Sequence, residues 1–549
     1  MEGEPARRRK FWGWGFEDAG PTRAQQERMA ATLADMFGLD EVRVRTPPEI
    51  GDIDLPAPRV AAPPALASIC TSDPYERAGH TYGKSFRDVV RGLARDFRHP
   101  PDVVALPRDE RDVTALLDWC ASAGAAAIPY GGGSSVVGGV EANVGDEYPA
   151  VVTIDLRRLD RVVEIDATSR AARIQGGVYG PALEDQLRPH GLTLRHFPQS
   201  FEVSTLGGWI ATRSGGHYAT NLTHIDDFVE SIRAVTPRGV LETRRLPGSG
   251  AGPSPDRLLL GSEGTLGIIT EAWMRLQDRP TFRASAVGRF PTWADGVAAA
   301  RAIARSGLFP ANCRLLDATE ATITGTGDGS AHLLLVGFES ADHPVDAWIA
   351  RAVELVADHG GAVDTVRVRT PADQNAGDGA SGDDEAGAWR RAFLRAPYTR
   401  DALVAMGMVN ETFESAVTWN GFDQLYDAVM AAVREAMREI GAPRGVVTCR
   451  LTHVYPDGAA PYFTVIAPGR EGAQLEQWAT IKEAAAEALL DNGGTITHHH
   501  SVGRDHRPWY DRQRPDLFAD ALRAAKQALD PAAILNPGVL FDSSRGDGR

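Results

Sequence analysis

The stretch PYGGGSS at residues 129–135 is the most informative part of this 549-residue chain for its fold. It follows a short apolar run at residues 125–128. Its central glycines have no Cβ and tolerate positive φ, so their backbone N–H groups can approach and surround an anion such as phosphate. The stretch matches neither the GxGxxG dinucleotide-binding pattern nor the GxxxxGK(S/T) phosphate loop. Taken alone, it is more typical of a tight turn than of a phosphate site.

Two more glycine-rich stretches follow, at residues 199–216 and 261–270, and both mix glycine with polar side chains. Three such loops in one region could give a large polar heterocyclic cofactor both close backbone approach and hydrogen bonds. Turns without a ligand remain the alternative. The residues that we predict to contact the cofactor are Pro129, Tyr130, Gly131, Gly132, Gly133, Ser134, Ser135, Gln199, Ser200, Ser204, Thr205, Gly207, Gly208, Thr212, Arg213, Ser214, Gly215, Glu263, Gly264, Thr265, Leu266, Gly267, Ile268 and Ile269.

Hydrophobic spacing places these loops in an α/β region. Asp109 is a suitable N-cap for a helix whose apolar residues recur at i, i+3, i+4 and i+7, and Gly124 is a suitable end for it. Strand-like runs follow at residues 151–156, 161–165 and 171–175. Beyond about residue 280, apolar strands alternate with Ala-rich helices, as is typical of an α+β domain. The helices predicted there span residues 294–306, 345–358, 422–440 and 473–490.

The composition excludes several classes of protein. Lys and Arg total 58 against 73 Asp and Glu, a net charge of −15, and nucleic acid is therefore not an expected partner because phosphate binding needs a basic surface. No apolar run approaches the roughly 20 residues of a membrane span, and the N-terminus lacks the apolar region of a signal peptide. The four cysteines form no CxxC pair, which argues against a disulfide framework or zinc site and predicts a cytoplasmic location.

The order of the three loops resembles the FAD-binding domain of the vanillyl-alcohol oxidase type flavoproteins, and residues 529–538 resemble the closing segment of that superfamily. The resemblance implies an α+β fold in which a two-subdomain α/β domain holds FAD and a cap domain carries the substrate site. Some members attach the flavin through a histidine beside the first loop. Residues 130–134 contain no histidine, so we expect non-covalent FAD. The implied divisions are an N-terminal extension at 1–90, the FAD-binding domain at 91–280, the cap at 281–510, and a C-terminal segment at 511–549 that returns to the FAD-binding domain.

Longer stretches resemble one branch of this superfamily, the alkyldihydroxyacetonephosphate synthases of ether-lipid synthesis. Gln199 stands where that family is expected to have Asp, residues 464–465 are less aromatic than the family, and residues 535–540 look more like the 2-hydroxy-acid dehydrogenase branch. The matching stretches are FWGWGF at 11–16, PQSFEVSTLGGWIATR at 198–213, CRLLD at 313–317, RD at 400–401, ETFE at 411–414, TCR at 448–450, YF at 462–463 and HHHSVG at 498–503.

This branch implies a redox-neutral exchange, in which a fatty alcohol replaces the acyl chain of acyl-dihydroxyacetone phosphate and FAD acts on the substrate carbon without net electron transfer. A FAD-dependent 2-hydroxy-acid dehydrogenase or oxidase, acting on a lactate- or glycolate-like substrate, is the alternative. A flavoprotein that only binds is a third reading. The intact set of Tyr462, Arg400 and the histidines at 498–500 argues against that third reading.

The resemblance assigns a proton-transfer role to Tyr462. His498, His499 and His500 could lower the pKa of its phenol or protonate the departing carboxylate. Core packing is the alternative for the tyrosine, and a solvated turn or a metal site for the histidines. In a strand at most His498 and His500 share a face, and no acidic residue lies close in sequence, so we predict no metal.

Arg400 and Arg314 match arginines of the family's substrate site. A guanidinium can hold phosphate or carboxylate with two parallel hydrogen bonds, and we assign the phosphate to Arg400. A surface salt bridge is the alternative for either arginine.

The expected partners are lipid-like small molecules, namely acyl-dihydroxyacetone phosphate and a fatty alcohol, and a second copy of the chain in a homodimer. The basic-aromatic segment at residues 7–14 predicts peripheral membrane contact, and a flexible solvated tail is the alternative for residues 7–10.

Overall fold

The computed structural model describes residues 7–218, 220, 222–376 and 385–542. Its strands form three main sheets surrounded by helices, which confirms the predicted α+β class. No helix among the described residues is long and apolar enough to cross a membrane. The α-helices of these residues are α1 Arg23–Phe37, α2 Pro74–Gly79, α3 Phe86–Leu93, α4 Glu110–Ala123, α5 Gly180–Leu187, α6 Leu206–Thr212, α7 Asp256–Leu259, α8 Trp293–Arg305, α9 Ala318–Ile323, α10 Asp346–Asp358, α11 Glu385–Ala405, α12 Trp419–Glu439, α13 Gln474–Asp491, α14 Arg507–Gln513 and α15 Asp516–Leu529.

The first sheet carries the loop of residues 129–135 at the end of one strand. Its strands are β1 Cys70–Thr71, β2 Val103–Ala105, β3 Ala126–Tyr130 and β4 Val151–Asp155. The order is β1-β2-β4-β3, with β2, β4 and β3 parallel and β1 antiparallel to β2. Strands β2 and β4 are buried throughout, as expected for parallel strands covered on both faces.

Helix α4 packs on this sheet, and its ends confirm the predicted signals. The Asp109 carboxylate accepts the N–H groups of Arg111 and Asp112, and Gly124 ends the helix with a left-handed φ of 65°. The predicted apolar face is buried in the core of the sheet and consists of Val113, Leu116, Leu117 and Cys120.

The second sheet is antiparallel and has the order β5-β6-β10-β8-β9. Its strand β10 begins within the last part of the third glycine-rich loop, and α6 begins within the second loop. A separate two-stranded pair joins β7 to β11. The strands are β5 Val162–Asp166, β6 Ala171–Gln175, β7 Leu192–Thr193, β8 Val229–Thr236, β9 Gly239–Glu242, β10 Ile268–Arg275 and β11 Gln277–Asp278.

The third sheet is large and antiparallel and forms the C-terminal half of the fold. Its strands are β12 Phe282–Phe290, β13 Asn312–Leu316, β14 His332–Ser340, β15 Ala362–Arg369, β16 Met408–Glu414, β17 Val417–Thr418, β18 Val446–Val454 and β19 Gly458–Pro468. The order is β15-β12-β14-β13-β18-β19-β16, and β17 pairs with β19. The four helices predicted beyond residue 280 are confirmed to within three residues as α8, α10, α12 and α13.

The C-terminal segment lies against the first sheet. Leu535 bridges Ala127 of β3 in parallel; the Ala127 N–H donates to the carbonyl of Ile534 at 2.8 Å, and the Asn536 N–H donates back to the Ala127 carbonyl at 2.9 Å. The Asn536 amide also donates to the carbonyl of Glu263 at 2.7 Å. This segment therefore forms hydrogen bonds both to the strand that leads into the first glycine-rich loop and to Glu263 of the third loop. The three boundaries between the four predicted divisions of the chain stay predictions.

Candidate active site

A cavity of about 510 Å³ lies between the three glycine-rich loops and the large antiparallel sheet. One wall consists of residues 129–135 and of parts of the stretches 198–216 and 263–269. The opposite wall consists of side chains from β16, β18, β19 and α11. A concave site of this size with a few polar groups is typical of cofactor and small-molecule sites.

The glycine-rich loops pack backbone against backbone. The Gly207 N–H donates to the carbonyl of Gly176 at 2.7 Å. A Cβ at Gly132 would collide with the carbonyl oxygen of Val203 and lie 2.7 Å from Cα of Ser204. The sequence suggests that a side chain at Gly132 would block a phosphate. The structure gives a different reason for glycine there, because the second loop occupies that space.

Most residues predicted to contact the cofactor line the cavity, but three do not. The Arg213 guanidinium turns away and pairs with Asp226 at 2.8 Å. Thr265 is buried, and its hydroxyl donates to the carbonyl of Ser262 at 2.7 Å. Leu266 belongs to the core beneath the second sheet. The mixture of glycine and polar residues predicted the loops, but it could not distinguish inward from outward side chains within them.

The cavity fits the expected FAD in its chemistry. Thr205 is fully buried, and its hydroxyl has no hydrogen-bond partner among the described residues, so a polar ligand would satisfy it. Gly131, Gly132 and Gly133 expose backbone instead of side chains on the same wall. The three loops are therefore the residues that would hold FAD, with the first and second loops at its polar groups.

Tyr462 lies at the centre of a row of three residues across the large sheet. Arg450 of β18 and Glu414 of β16 lie directly opposite it on the two neighbouring strands. Tyr462 is 4% exposed, and the guanidinium carbon of Arg450 lies 3.7 Å from the centre of its ring. Burial raises the pKa of Tyr462, and the positive charge of Arg450 opposes that rise. The sheet register therefore places a cation against the phenol.

The three consecutive histidines surround the carboxylate of Glu414 and do not form a strand. The N–H groups of His499 and His500 donate to Glu414 Oε1 at 3.0 and 2.8 Å, and that of His498 donates to Oε2. The rings of His499 and His500 lie 6.0 and 5.5 Å from the Tyr462 ring, and both histidines line the cavity. A carboxylate distant in sequence thus fixes the run beside the tyrosine.

His498 is the predicted catalytic residue that does not line the cavity. Its Nε2 is 2.7 Å from the hydroxyl of Tyr455, and its Nδ1 is 2.9 Å from Nδ1 of His499. His498 therefore contacts the ring of His499, which lines the cavity, without lining the cavity itself.

The histidines are uncharged at neutral pH. Burial lowers the pKa of His499 to about 3 and that of His500 to about 4, and it holds the pKa of His498 well below its usual range. Uncharged rings are not the cationic neighbours that would lower the pKa of Tyr462, and a role of the histidines as its hydrogen-bonding neighbours stays a prediction. Arg450 is the cation in contact with the ring.

The prediction that these histidines hold no metal loses both of its sequence arguments. The run is not a strand, so the alternation of faces does not apply, and Glu414 supplies the acidic partner that the local sequence lacks. Potential ligand atoms of Glu414, His499 and His500 lie within 4.8 Å of one another, as do those of His453, His498 and His499. The absence of a metal stays a prediction.

Arg400 of α11 also lines the cavity. Its Nη2 donates to the carbonyl of Lys84, its guanidinium lies 5.8 Å from the Trp14 ring centre, and its Nε has no partner among the described residues. Lys84 is itself buried, and burial lowers the pKa of its ammonium to about 8. This end of the cavity is therefore cationic at neutral pH, as a phosphate site requires.

Arg314 of β13 lines the cavity as well and is 1% exposed. Burial and the neighbouring Arg450 lower the pKa of Arg314 to about 9. Neither Arg450 nor Glu414 was assigned a role from the sequence. Period-two alternation along β18 and β16 was the available signal, because residues 448, 450 and 452 on one strand and 412 and 414 on another share a face.

The basic-aromatic segment at residues 7–14 is part of the fold. Phe11 and Trp14 are each 5% exposed, so these two aromatic side chains pack inside the fold. The Arg9 guanidinium donates to the carbonyl of Gly132 at 2.6 Å, and the Trp14 N–H donates to Asp401 at 2.6 Å. The segment therefore joins the first glycine-rich loop to the helix that carries Arg400.

Two family models match separate parts of the chain. Residues 101–244 match the family described as "FAD binding domain", and residues 279–540 match "FAD linked oxidases, C-terminal domain". FAD is therefore the cofactor of this chain.

Individual relatives extend the likeness to nearly the whole chain. The alkyldihydroxyacetonephosphate synthase of Dictyostelium discoideum is 31% identical over 495 residues, which cover 85% of this chain and 78% of that protein. That of Trypanosoma brucei brucei is 31% identical over 480 residues, which cover 86% and 78%. A solved structure of an alkyldihydroxyacetonephosphate synthase superposes with a TM-score of 0.78 at 26% identity and covers 96% of this chain and 98% of its own. The three glycine-rich loops and Tyr462 line the same cavity. By these similarities, the chain belongs to the alkyldihydroxyacetonephosphate synthase family.

Proposed function

We propose that this chain exchanges the acyl chain of an acyl-dihydroxyacetone phosphate for a fatty alcohol in a flavin-dependent, redox-neutral reaction. The observation that carries the proposal is the buried Tyr462, which faces the flavin loops, lies under Arg450 and is flanked by two uncharged histidines. When bound, FAD supplies a group that can take up an electron pair from the substrate and return it, so no external oxidant is consumed.

Tyr462 is the base that removes a proton from C1 of the substrate, the carbon between the ketone and the ester oxygen. Its phenol must be ionised for this step, and burial alone disfavours the phenolate. Arg450 stabilises the phenolate from 3.7 Å, and the absence of charge on His499 and His500 avoids a competing proton donor of low pKa. The neutral imidazoles can hand a proton onward through hydrogen bonds.

The apolar part of the cavity suits the alkyl chains of the two substrates. Trp389, Phe393, Leu403 and Ile466 line it. Removing such chains from water contributes roughly 0.8 kcal/mol per buried CH₂, which favours lipid-like substrates over small hydroxy acids. Homodimerisation and peripheral membrane contact stay predictions.

Arg400→Ala is expected to raise the KM for the phosphorylated substrate more than tenfold and to leave FAD binding unchanged. Loss of a hydrogen bond between two charged groups costs about 1.5–3 kcal/mol, or about 10- to 150-fold in affinity. Steady-state kinetics with varied acyl-dihydroxyacetone phosphate measure the effect, and the flavin absorbance of the purified variant checks the cofactor. An unchanged KM would move the phosphate away from Arg400.

Purified protein is expected to release intact FAD on acid or heat denaturation. His80 packs against Tyr130 beside the first loop, with ring centres 4.3 Å apart, but its two nitrogens already contact Asp155 at 2.9 Å and the carbonyl of Glu76 at 2.6 Å. Chromatography of the supernatant measures the free flavin. Yellow colour that remains with the precipitated chain would contradict non-covalent binding.

A FAD-dependent 2-hydroxy-acid dehydrogenase is the second candidate, and the match of residues 279–540 to "FAD linked oxidases, C-terminal domain" favours it. The two candidates differ in the fate of the electrons. Under anaerobic conditions, a dehydrogenase leaves the flavin persistently bleached after a suitable hydroxy acid is added. The proposed transferase leaves the visible flavin band in place with D-lactate and glycolate, and persistent bleaching would favour the second candidate.

A further inference from the structure

Two arginines share one buried corner of the cavity. Arg314 is 1% exposed and Arg450 is 6% exposed, and each guanidinium carbon lies 5.3 Å from the centre of the Trp389 ring. Leu316 of β13 lies opposite Arg450, and Arg314 precedes Leu316 by two residues, so both arginines leave the same face of the sheet. The pairing of β13 with β18 therefore brings the two arginines together, just as the pairing of β18 with β19 brings Arg450 to Tyr462.

The corner carries more positive charge than its carboxylates balance. Glu320 pairs with Arg450, whereas no described carboxylate lies within 4 Å of the Arg314 guanidinium, which instead donates to Nδ1 and the carbonyl of His217 at 3.2 and 3.4 Å. Asp317, the acidic residue nearest to Arg314 in the sequence, already accepts the N–H groups of Glu320 and Cys449. A buried charge without a counter-charge is costly, and a bound anion would compensate it.

Both arginines also have a donor to spare. The Nε atoms of Arg314 and Arg450 are buried and have no hydrogen-bond partner among the described residues. Both side chains line the cavity. Two guanidinium groups with free donors form a site suited to a planar carboxylate, which can accept from both.

The chemistry of the substrate specifies which anion reaches this corner. The proton that Tyr462 removes and the acyl oxygen that departs are bonded to the same carbon, C1, whereas the phosphate is carried by C3. With C1 within proton-transfer distance of the phenol, the acyl group lies beside the cation that covers the ring. That cation is Arg450, at 3.7 Å.

We propose that Arg450 and Arg314 form a subsite for the fatty carboxylate, separate from the phosphate site at Arg400. The inference rests on the proposed function. In the net exchange the C1–O bond to the acyl group breaks, and the carboxylate leaves with the bonding electron pair. A new C1–O bond forms to the alcohol oxygen, whose proton is released. The full negative charge of the departing carboxylate forms against the two guanidinium groups, which then hold the product fatty acid.

Calorimetric titration of the FAD-loaded protein tests the subsite without turnover. The probes are octanoate, 1-octanol as its uncharged counterpart of equal chain length, and dihydroxyacetone phosphate. Arg314→Met keeps an apolar stem and removes the charge, and Arg450→Met combined with Glu320→Gln avoids leaving a carboxylate buried and unpaired. In both variants the Kd of octanoate is expected to rise at least tenfold, while the Kd values of 1-octanol and dihydroxyacetone phosphate stay within about twofold.

Arg400→Met is the matched control at the other end of the cavity, and it is expected to weaken dihydroxyacetone phosphate and spare octanoate. Arg450→Lys keeps a positive charge and is expected to retain most octanoate affinity, which separates loss of charge from loss of folding. Unchanged octanoate affinity in both corner variants, or its loss only in Arg400→Met, overturns the subsite. If the parent protein forms the ether product but the variants do not show these changes in Kd, the subsite is overturned and the proposed function stands. If the variants show these changes but the parent protein forms no ether product, the proposed function is overturned and the subsite stands.

Discussion

Tyr462→Phe is expected to lower turnover by about 10²–10⁴, the usual contribution of a positioned acid–base group, while folding and FAD binding remain nearly normal. The change keeps the ring and its packing against Arg450 and the histidines and removes only the hydroxyl. Exchange of the substrate's C1 hydrogen with deuterated solvent, followed by NMR without fatty alcohol, is expected to fall in parallel. This exchange isolates proton removal from the later steps.

The pH dependence gives the same prediction a direction. Tyr462 acts as a phenolate, and burial raises its pKa, so parent turnover is expected to rise as the pH rises towards that pKa. The variant is expected to lose this rise. Tyr426→Phe is a matched control, because Tyr426 is a half-buried tyrosine that packs on the same sheet against Phe463 and does not line the cavity. If Tyr462→Phe exchanges and turns over like this control, the tyrosine is a core aromatic and the proposed mechanism fails.

Gly132→Val is expected to yield protein without bound flavin. Its Cβ would collide with the carbonyl oxygen of Val203, so the first and second loops must move apart at the wall that holds FAD. Overpacking of this kind costs about 1–3 kcal/mol, or about 5- to 150-fold in an equilibrium constant, and here the loss falls on the cofactor site. The ratio of flavin absorbance to protein absorbance after purification measures it.

Gly248→Val is the control for the glycine substitution. A Cβ at Gly248 meets nothing within 4 Å, and the residue is exposed and does not line the cavity. This variant is expected to be as yellow as the parent. Full flavin content in Gly132→Val would mean that the first loop is not part of the FAD site.

Local signals predicted the parts of this fold that depend on neighbours in sequence. Asp109 and Gly124 cap α4 because a helix end needs side-chain acceptors at one end and a left-handed residue at the other. The glycine-rich loops were found for a similar reason, since close backbone packing requires glycine at positions such as Gly132.

Contacts distant in sequence determined the rest of the site. Glu414 accepts hydrogen bonds from backbone N–H groups of the histidine run, which lies 84 to 86 residues further along the chain. Arg450 contacts Tyr462 because the register of β18 and β19 places them opposite each other. Alternation along each strand gives the face that each side chain shares but not its partner on the next strand, so the sequence pointed to the histidines, which burial leaves uncharged, instead of the arginine. The hydrogen bond from the Trp14 N–H to Asp401, 387 residues away in the sequence, is a contact of the same kind.

A product assay with ¹⁸O-labelled fatty alcohol addresses the exchange reaction itself. The FAD-loaded protein is incubated anaerobically with acyl-dihydroxyacetone phosphate and the labelled alcohol, and the lipids are examined by mass spectrometry. We expect alkyl-dihydroxyacetone phosphate that retains the ¹⁸O in its ether bond, together with one equivalent of unlabelled fatty acid and an unchanged flavin spectrum at the end. Absence of the ether, or an ether without ¹⁸O, would contradict attack of the alcohol at C1 and with it the proposed function.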